Sequence, residues 1–117
     1  MRILICGDRN WTNIPLIAGW LATVPRDTVI IQGDARGADS IAKDAALSLG
    51  LEVESYPANW AQYGRAAGPI RNKQMLDTKP DFVMAFHSDI TSSKGTANML
   101  KIAKQKGILS SVMVEPK

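Results

Sequence analysis

The sequence predicts an α/β fold with a doubly wound parallel sheet of about five strands and helices on both faces. Short apolar runs, typical of buried strands, alternate five times with segments of helical periodicity. The turns between them are short, and parallel strands need crossover connections, which helices supply. A chain of 117 residues can build one such core and is too short for two, so residues 1–117 are expected to form a single domain.

The first half of the chain predicts three strands and two helices. Thr12 or Asn13 can cap the first helix, and Pro15 falls in its first turn, where a missing N–H costs little. The second helix follows Gly37 and ends near Gly50, a residue type that favours helix C-termini. The third strand alternates apolar and polar residues, which indicates a half-exposed strand at the sheet edge. The three strands cover residues 2–6, 28–32 and 51–56.

The second half begins with an irregular stretch, residues 57–69, whose aromatic residues and glycines favour an ordered functional loop. Within it, Trp60 is expected in the core, because buried aromatic side chains are the more common case. Pro69 introduces a helix over residues 70–76. The remaining elements are a fourth strand, a last helix and a fifth strand, at residues 81–86, 96–107 and 108–114.

Composition and charge exclude several classes of protein. The net charge of +3 is spread over interspersed signs, which suits a small anionic ligand and does not by itself indicate a nucleic-acid partner. Cys6 is the only cysteine and His87 the only histidine, which excludes internal disulfides and His-pair zinc motifs. We therefore expect no metal and no cofactor, with Cys6 in the core and His87 in a loop without a catalytic role. The lack of a long apolar run predicts a cytoplasmic protein that does not enter the membrane.

The stretch from Gly33 to Asp39 combines the features of a phosphate-binding turn. It joins a β-branched strand to a helix and carries a glycine near each end. Glycine lets backbone N–H groups turn toward a ligand, and the following helix contributes the positive end of its dipole. This chemistry predicts a phosphate cradle that includes Gly33, Ala35, Gly37 and Asp39. The alternative is a tight turn in which Gly37 serves packing alone.

Further loops at strand ends carry charged residues and glycines. An arginine early in a helix, Arg71, opposes the helix dipole unless an anion lies within reach, either a ligand or a carboxylate such as Asp39. The N–H groups of Gly95 and Thr96 would form an anion nest, or else only a capped helix start.

Other residues of these loops also have two interpretations. Asp8 and Arg9 either contact a ligand or pair with each other at the surface. Trp60 and Tyr63 either stack on a base or pack against the core. The candidate ligand-binding residues are Gly7, Asp8, Arg9, Gly33, Ala35, Gly37, Asp39, Gly68, Arg71, Asn72, Ser93, Gly95 and Thr96.

Four motifs with a joint spacing cover nearly the whole chain. They read Gly7-Asp8-Arg9-x-Trp11, Gly33-x-Ala35-x-Gly37-Ala38-Asp39, Ala67-Gly68-Pro69-x-Arg71-Asn72 with Met75, and Gly95-Thr96. The set resembles the YspA-like branch of the SLOG superfamily of Rossmann-like nucleotide-binding domains, which includes LOG phosphoribohydrolases and the DNA-processing protein DprA. The resemblance implies one SLOG-type domain that binds a nucleotide-derived ligand at the strand C-terminal ends and forms a dimer or larger homo-oligomer. It also implies a sensor or binder in bacterial or phage conflict systems.

One departure from the resemblance concerns catalysis. LOG hydrolases carry a glycine-rich signature with a catalytic glutamate; here Gly95 and Thr96 match it, whereas Met99 stands at the glutamate position. Methionine cannot transfer protons. The first hypothesis is therefore a ligand-binding domain, and the alternative is a nucleotide hydrolase in which Asp39 or Asp8 acts as the acid or base. A DprA-like binder of single-stranded nucleic acid is the third hypothesis.

Overall fold

One parallel sheet forms the centre of the protein. The computed structural model describes residues 1–90 and 93–115, and its strands are β1 (Arg2–Gly7), β2 (Val29–Gln32), β3 (Glu52–Ser55), β4 (Phe82–Phe86) and β5 (Leu109–Met113). They pair in the order β3-β2-β1-β4-β5, and every pair is parallel. The predicted fold class is confirmed, and the alternating strand β3 lies at the edge that its pattern predicts.

Helices cover both faces of the sheet. They are α1 (Ile14–Leu21), α2 (Ala38–Ser48), α3 (Trp60–Tyr63), α4 (Ala67–Asp77) and α5 (Lys94–Gln105). Successive side chains of a strand point to opposite faces. Ile3 and Ile5 of β1 accordingly pack in the cluster that includes side chains of α1 and α2. Leu4 and Cys6 pack in the opposite cluster, with side chains of α4 and α5.

The strand order places a crevice between β1 and β4. The chain moves from β1 outward to β2 and β3, and then returns to pair β4 with the other side of β1. Loops that follow β1 and β4 therefore leave toward opposite faces and separate at the carboxyl ends of these strands. This point of strand-order reversal is where α/β folds of this kind bind ligands. At this end of the pairing, Gly7 lies opposite Phe86.

The structure corrects the prediction for residues 57–69. Asn59 caps α3, because its side-chain oxygen accepts a hydrogen bond from the Gln62 N–H at 3.1 Å. A 3₁₀ turn, Gly64–Ala66, then leads directly into α4. The stretch is therefore largely helical, and α4 begins before the predicted start. Trp60 is 49% exposed, so its predicted core position is wrong.

Helix starts elsewhere agree with local capping chemistry. The Asn13 side chain, one of the two predicted caps of α1, accepts a hydrogen bond from the Leu16 N–H at 3.1 Å. Ser93 caps α5, which starts two residues before the predicted Thr96. No helix among the described residues is long and apolar enough to cross a membrane.

Candidate functional site

A pocket of about 750 Å³ opens at the carboxyl ends of the central strands. It lies where the strand order reverses, as the fold predicts. Eleven of the candidate residues line it: Gly7, Asp8, Arg9, Ala35, Asp39, Gly68, Arg71, Asn72, Ser93, Gly95 and Thr96. The other two candidates, Gly33 and Gly37, are not among the lining residues. The lining still takes residues from all four sequence motifs, so these motifs converge on one cavity.

The first loop, residues 8–13, joins β1 to α1, and hydrogen bonds at Asp8 fix its backbone. The Asp8 N–H donates to the Phe86 carbonyl at 2.9 Å, and the Asp8 carbonyl accepts from the N–H groups of Trp11 and Ala38 at 3.2 and 3.0 Å. The Asp8 carboxylate accepts the Asn10 N–H at 2.8 Å. The Asp8–Arg9 surface pair does not form, because the Arg9 guanidinium lies over the Trp60 ring instead.

Gly37 holds the first loop against the start of α2. Its φ of 79° and ψ of −127° belong to a region that favours glycine. A Cβ at this position would overlap the carbonyl oxygens of Asp8 and Arg9. Gly37 is therefore a packing glycine, which is the alternative interpretation of the turn, and it does not face the cavity.

Gly33 allows the close approach of an arginine. A Cβ at Gly33 would overlap the Arg71 guanidinium, and the Arg71 Nη1 donates to the Gly33 carbonyl at 2.6 Å. The expected phosphate cradle formed by both glycines is therefore not present in this arrangement. The turn instead positions Arg71 and Asp39 at the wall of the pocket.

Asp39 is a buried carboxyl group in the first turn of α2, with only 7% of its surface exposed. One oxygen accepts the N–H groups of Gly33 and Ala35, at 3.0 and 3.4 Å. Burial raises the pKa of Asp39 to about 6, although the Arg71 guanidinium and the two N–H groups favour its charged form. A carboxyl group with this pKa changes charge close to neutral pH.

The raised pKa predicts how stability depends on pH. The unfolded chain releases the Asp39 proton near the ordinary pKa of 3.8 and the folded chain near 6. The folded state therefore binds more protons between these values, and stability falls as the pH rises through that window. Asn at this position does not titrate, so the free energy of unfolding of Asp39→Asn does not share this fall. In urea titrations, the free energy of unfolding of the variant minus that of the parent should increase by about 2 kcal/mol between pH 4 and 7. A difference that stays constant over this range would contradict the assignment.

Arg71 lies in the second turn of α4, because that helix starts at Ala67. The argument from the helix dipole, which placed it in the first turn, is therefore wrong. Burial lowers the pKa of Arg71, and the nearby Asp39 carboxylate partly offsets this effect. The direct ion pair with Asp39, one of the two alternatives for Arg71, does not form, since the guanidinium donates to the Gly33 carbonyl and, at 3.1 Å, to Asn72. Its Nη2 donates to no described residue, and the side chain lines the pocket.

Asn72 ties α4 to the start of α5. Its Nδ2 donates to the Gly95 carbonyl at 3.3 Å and to the Asn98 side chain at 3.2 Å, and its oxygen accepts from Arg71. With only 5% of its surface exposed, Asn72 has its polar atoms engaged within the protein. We therefore interpret this candidate as a positioning residue for Arg71 and α5.

The start of α5 forms the wall opposite α2. The Ser93 hydroxyl accepts the Thr96 N–H at 3.0 Å, so the capped helix start is the interpretation that the structure favours for these two residues. Gly95 is exposed, and its N–H belongs to the first turn, where helical N–H groups have no partner within the helix. Met99, at the position of the hydrolase glutamate, is buried and lines the pocket.

Several residues that line the pocket were not predicted from the sequence as ligand-binding residues. Arg65 and Lys94 add two cations to Arg9 and Arg71, whereas Asp8 and Asp39 are the carboxylates of the lining. The missed residues include Asn10, Arg65, His87, Lys94 and Asn98. A signal existed for Lys94, which directly precedes Gly95, but charge alone does not separate a pocket cation from a surface cation. Among the described residues, no cluster of three potential ligands could hold a metal ion.

Comparisons with known proteins agree with this architecture. The model of the "YspA, cpYpsA-related SLOG family" matches residues 1–63, from β1 to the end of α3. The "Gene 61 protein" of Mycobacterium phage D29 is 34% identical over 116 residues, which cover 92% of this chain and 91% of that protein.

The fold also resembles a solved structure, that of DNA processing protein A (DprA) from Streptococcus pneumoniae. The TM-score is 0.78 at 16% sequence identity, and the match covers 98% of this chain. This chain spans only about half of the DprA chain, since the match covers 50% of it. The family match, the phage relative and the fold lead to one conclusion: the chain belongs to the YspA, cpYpsA-related SLOG family.

Proposed function

We propose that this domain binds a phosphorylated, nucleotide-derived ligand in the pocket at the strand C-terminal ends. The observation that carries the proposal is the convergence of four cationic side chains on one cavity, from the loop after β1, the 3₁₀ turn with α4, and the start of α5: Arg9, Arg65, Arg71 and Lys94. Two carboxylates of the same lining are available for hydroxyl groups. A cavity of about 750 Å³ lies within the usual range for small-molecule sites, about 300 to 1,000 Å³.

The chemistry of the lining suggests roles for individual residues. Arg71 and Lys94 would bind the phosphate group together with the N–H of Gly95, which donates to no described residue, because helix starts and guanidinium groups both stabilise anions. Asp39 or Asp8 would accept hydrogen bonds from ribose hydroxyl groups. One oxygen of each carboxylate already accepts backbone N–H groups, and the other oxygen has no hydrogen-bond partner among the described residues, so it can accept such a bond.

Binding fits the pocket better than hydrolysis. Met99 supplies no proton at the position of the hydrolase glutamate, which leaves Asp39 as the lining carboxyl with a pKa near 6. A hydrolase that uses Asp39 is therefore the second candidate function. A single-stranded nucleic-acid binder is less favoured, because the four cations face one concave cavity and do not form an extended track.

Native mass spectrometry followed by a thermal-shift panel tests the proposal. The panel contains the four ribonucleoside 5′-monophosphates, ribose 5-phosphate, inorganic phosphate and a single-stranded oligonucleotide. We expect a carried nucleotide-sized species or a rise in Tm with the monophosphates, because a ligand that binds only the folded state stabilises it. Chromatography of the incubated nucleotides should show them unchanged. A protein that carries nothing and ignores every phosphorylated sugar would contradict the proposal, whereas Asp39-dependent cleavage would favour the hydrolase.

A further inference from the structure

Trp60 occupies an unusual position for a tryptophan. Its side chain is 49% exposed, yet it lines the pocket instead of an outer surface. The short helix α3 holds it there, and the ring lies beside Gly68 of α4. A Cβ at Gly68 would lie 3.4 Å from the indole Cη2. The indole ring therefore rests on α4 and presents a large flat surface at the mouth of the cavity.

A planar cation already covers one face of this ring. The Arg9 guanidinium lies 5.7 Å from the centroid of the Trp60 ring, within the range of cation–π contacts. The guanidinium is a planar, delocalised group. A nucleobase is planar too and can stack on an indole ring in the same way. Arg9 is exposed and makes no ion pair with a described residue, so it can move.

We propose that Trp60 is the stacking platform for the base of the ligand, and that Arg9 moves aside to cover the outer face of that base. The inference rests on the proposed function and adds the base to the phosphate and ribose contacts. A planar ring between the two groups needs two stacking distances, about 7 Å in total. The present spacing of 5.7 Å is shorter, so the Arg9 guanidinium must shift outward by more than 1 Å.

This geometry separates the ligand into two parts. Arg71 is half-buried in the lining of the pocket, whereas Trp60 and Arg9 are both exposed. The platform itself offers stacking without a pattern of hydrogen-bond donors and acceptors. We therefore expect it to accept several bases and to favour purines, which have the larger stacking area.

Calorimetric titration of two probes tests the platform. Adenosine 5′-monophosphate carries a base, and ribose 5-phosphate has the same sugar phosphate without one. Trp60→Ala should weaken binding of the nucleotide by about tenfold or more, a typical loss when a stacking aromatic is removed. Its affinity for ribose 5-phosphate should stay within about twofold of that of the parent.

Tyr63→Ala is the matched control variant. Tyr63 lies on the same helix and is 45% exposed, but it does not line the pocket. Its removal should leave the affinity for both probes unchanged. Since Trp60 is half exposed, the Tm of Trp60→Ala should remain close to that of the parent. Trp60→Phe provides a second variant, because it retains an aromatic ring and should recover part of the lost affinity.

Each outcome decides between the two proposals. Equal weakening of both probes by Trp60→Ala, or no weakening of either, would overturn the platform and leave the phosphate site intact. If the parent and Tyr63→Ala bind the nucleotide and only Trp60→Ala loses affinity for it, the result would support both the platform and the proposed function. A parent protein that binds neither probe would overturn the platform together with the proposed function.

Discussion

Replacing Gly37 with alanine should destabilise the protein by about 2 to 5 kcal/mol, the largest stability effect that we expect from a single methyl group. Two costs combine at this position. The backbone conformation, with φ of 79°, is strained for any residue with a side chain. The added Cβ also overlaps the carbonyl oxygens of Asp8 and Arg9, which are backbone atoms and cannot rotate away. Urea denaturation measures the free energy of unfolding directly.

Gly64→Ala provides the control for backbone strain alone. Gly64 has a similar backbone conformation, with φ of 54° and ψ of −131°, but nothing lies within 4 Å of an added Cβ. The loss there should be smaller, about 1 to 2 kcal/mol. The difference between the two variants isolates the contact between the first loop and α2. If both variants lost the same stability, that contact would contribute nothing.

Arg71→Ala should reduce the affinity for a phosphorylated ligand by about 10- to 100-fold, since charge-assisted hydrogen bonds contribute about 1.5 to 3 kcal/mol. The guanidinium lines the pocket and is already oriented by the Gly33 carbonyl and the Asn72 oxygen. The Arg71 side chain therefore loses little conformational entropy when an anion binds. Calorimetric titration with ribose 5-phosphate measures the effect without a contribution from the base.

Arg26→Ala is a closely matched control for this substitution. The Arg26 guanidinium also donates to backbone carbonyls, those of Ala22 and Leu49, at 3.0 and 3.4 Å. It does not line the pocket. Its removal should leave ligand affinity unchanged. If Arg71→Ala bound ribose 5-phosphate as tightly as Arg26→Ala does, the role of Arg71 in phosphate binding would be refuted.

The pattern of the sequence was sufficient to predict the sheet and its helices. The strands β1, β2 and β4 are continuous apolar runs, and such runs predict strands that are buried on both faces. The location of the pocket followed as well, because the fold fixes which loops gather at the strand C-termini. The edge strand β3 was recognisable from its alternation of apolar and polar residues, which is typical of a half-exposed strand.

The orientation of individual side chains could not be predicted in this way. Gly33 and Gly37 have the residue type of a phosphate cradle, but the direction in which each faces depends on a distant segment, Arg71 for one and Asp8 for the other. The position of Trp60 was mispredicted because hydrophobicity favours burial, whereas the capped helix α3 holds the ring at the rim of the pocket. The contacts of Gly33 and Gly37 join segments that are distant in the chain, and such contacts leave no local pattern in a sequence.

The residues around the pocket differ in what constrains them. Gly37 and Asn72 contact other parts of the protein, so any change there alters the fold whatever the ligand is. Arg65 and Lys94 line the cavity and make no hydrogen bond or ion pair with a described residue. Substitutions of these two cations should therefore affect ligand binding and leave the fold unchanged. Among relatives, variation at these two positions should accompany a change of ligand. An invariant glycine at position 37 would indicate only that the relatives share the fold.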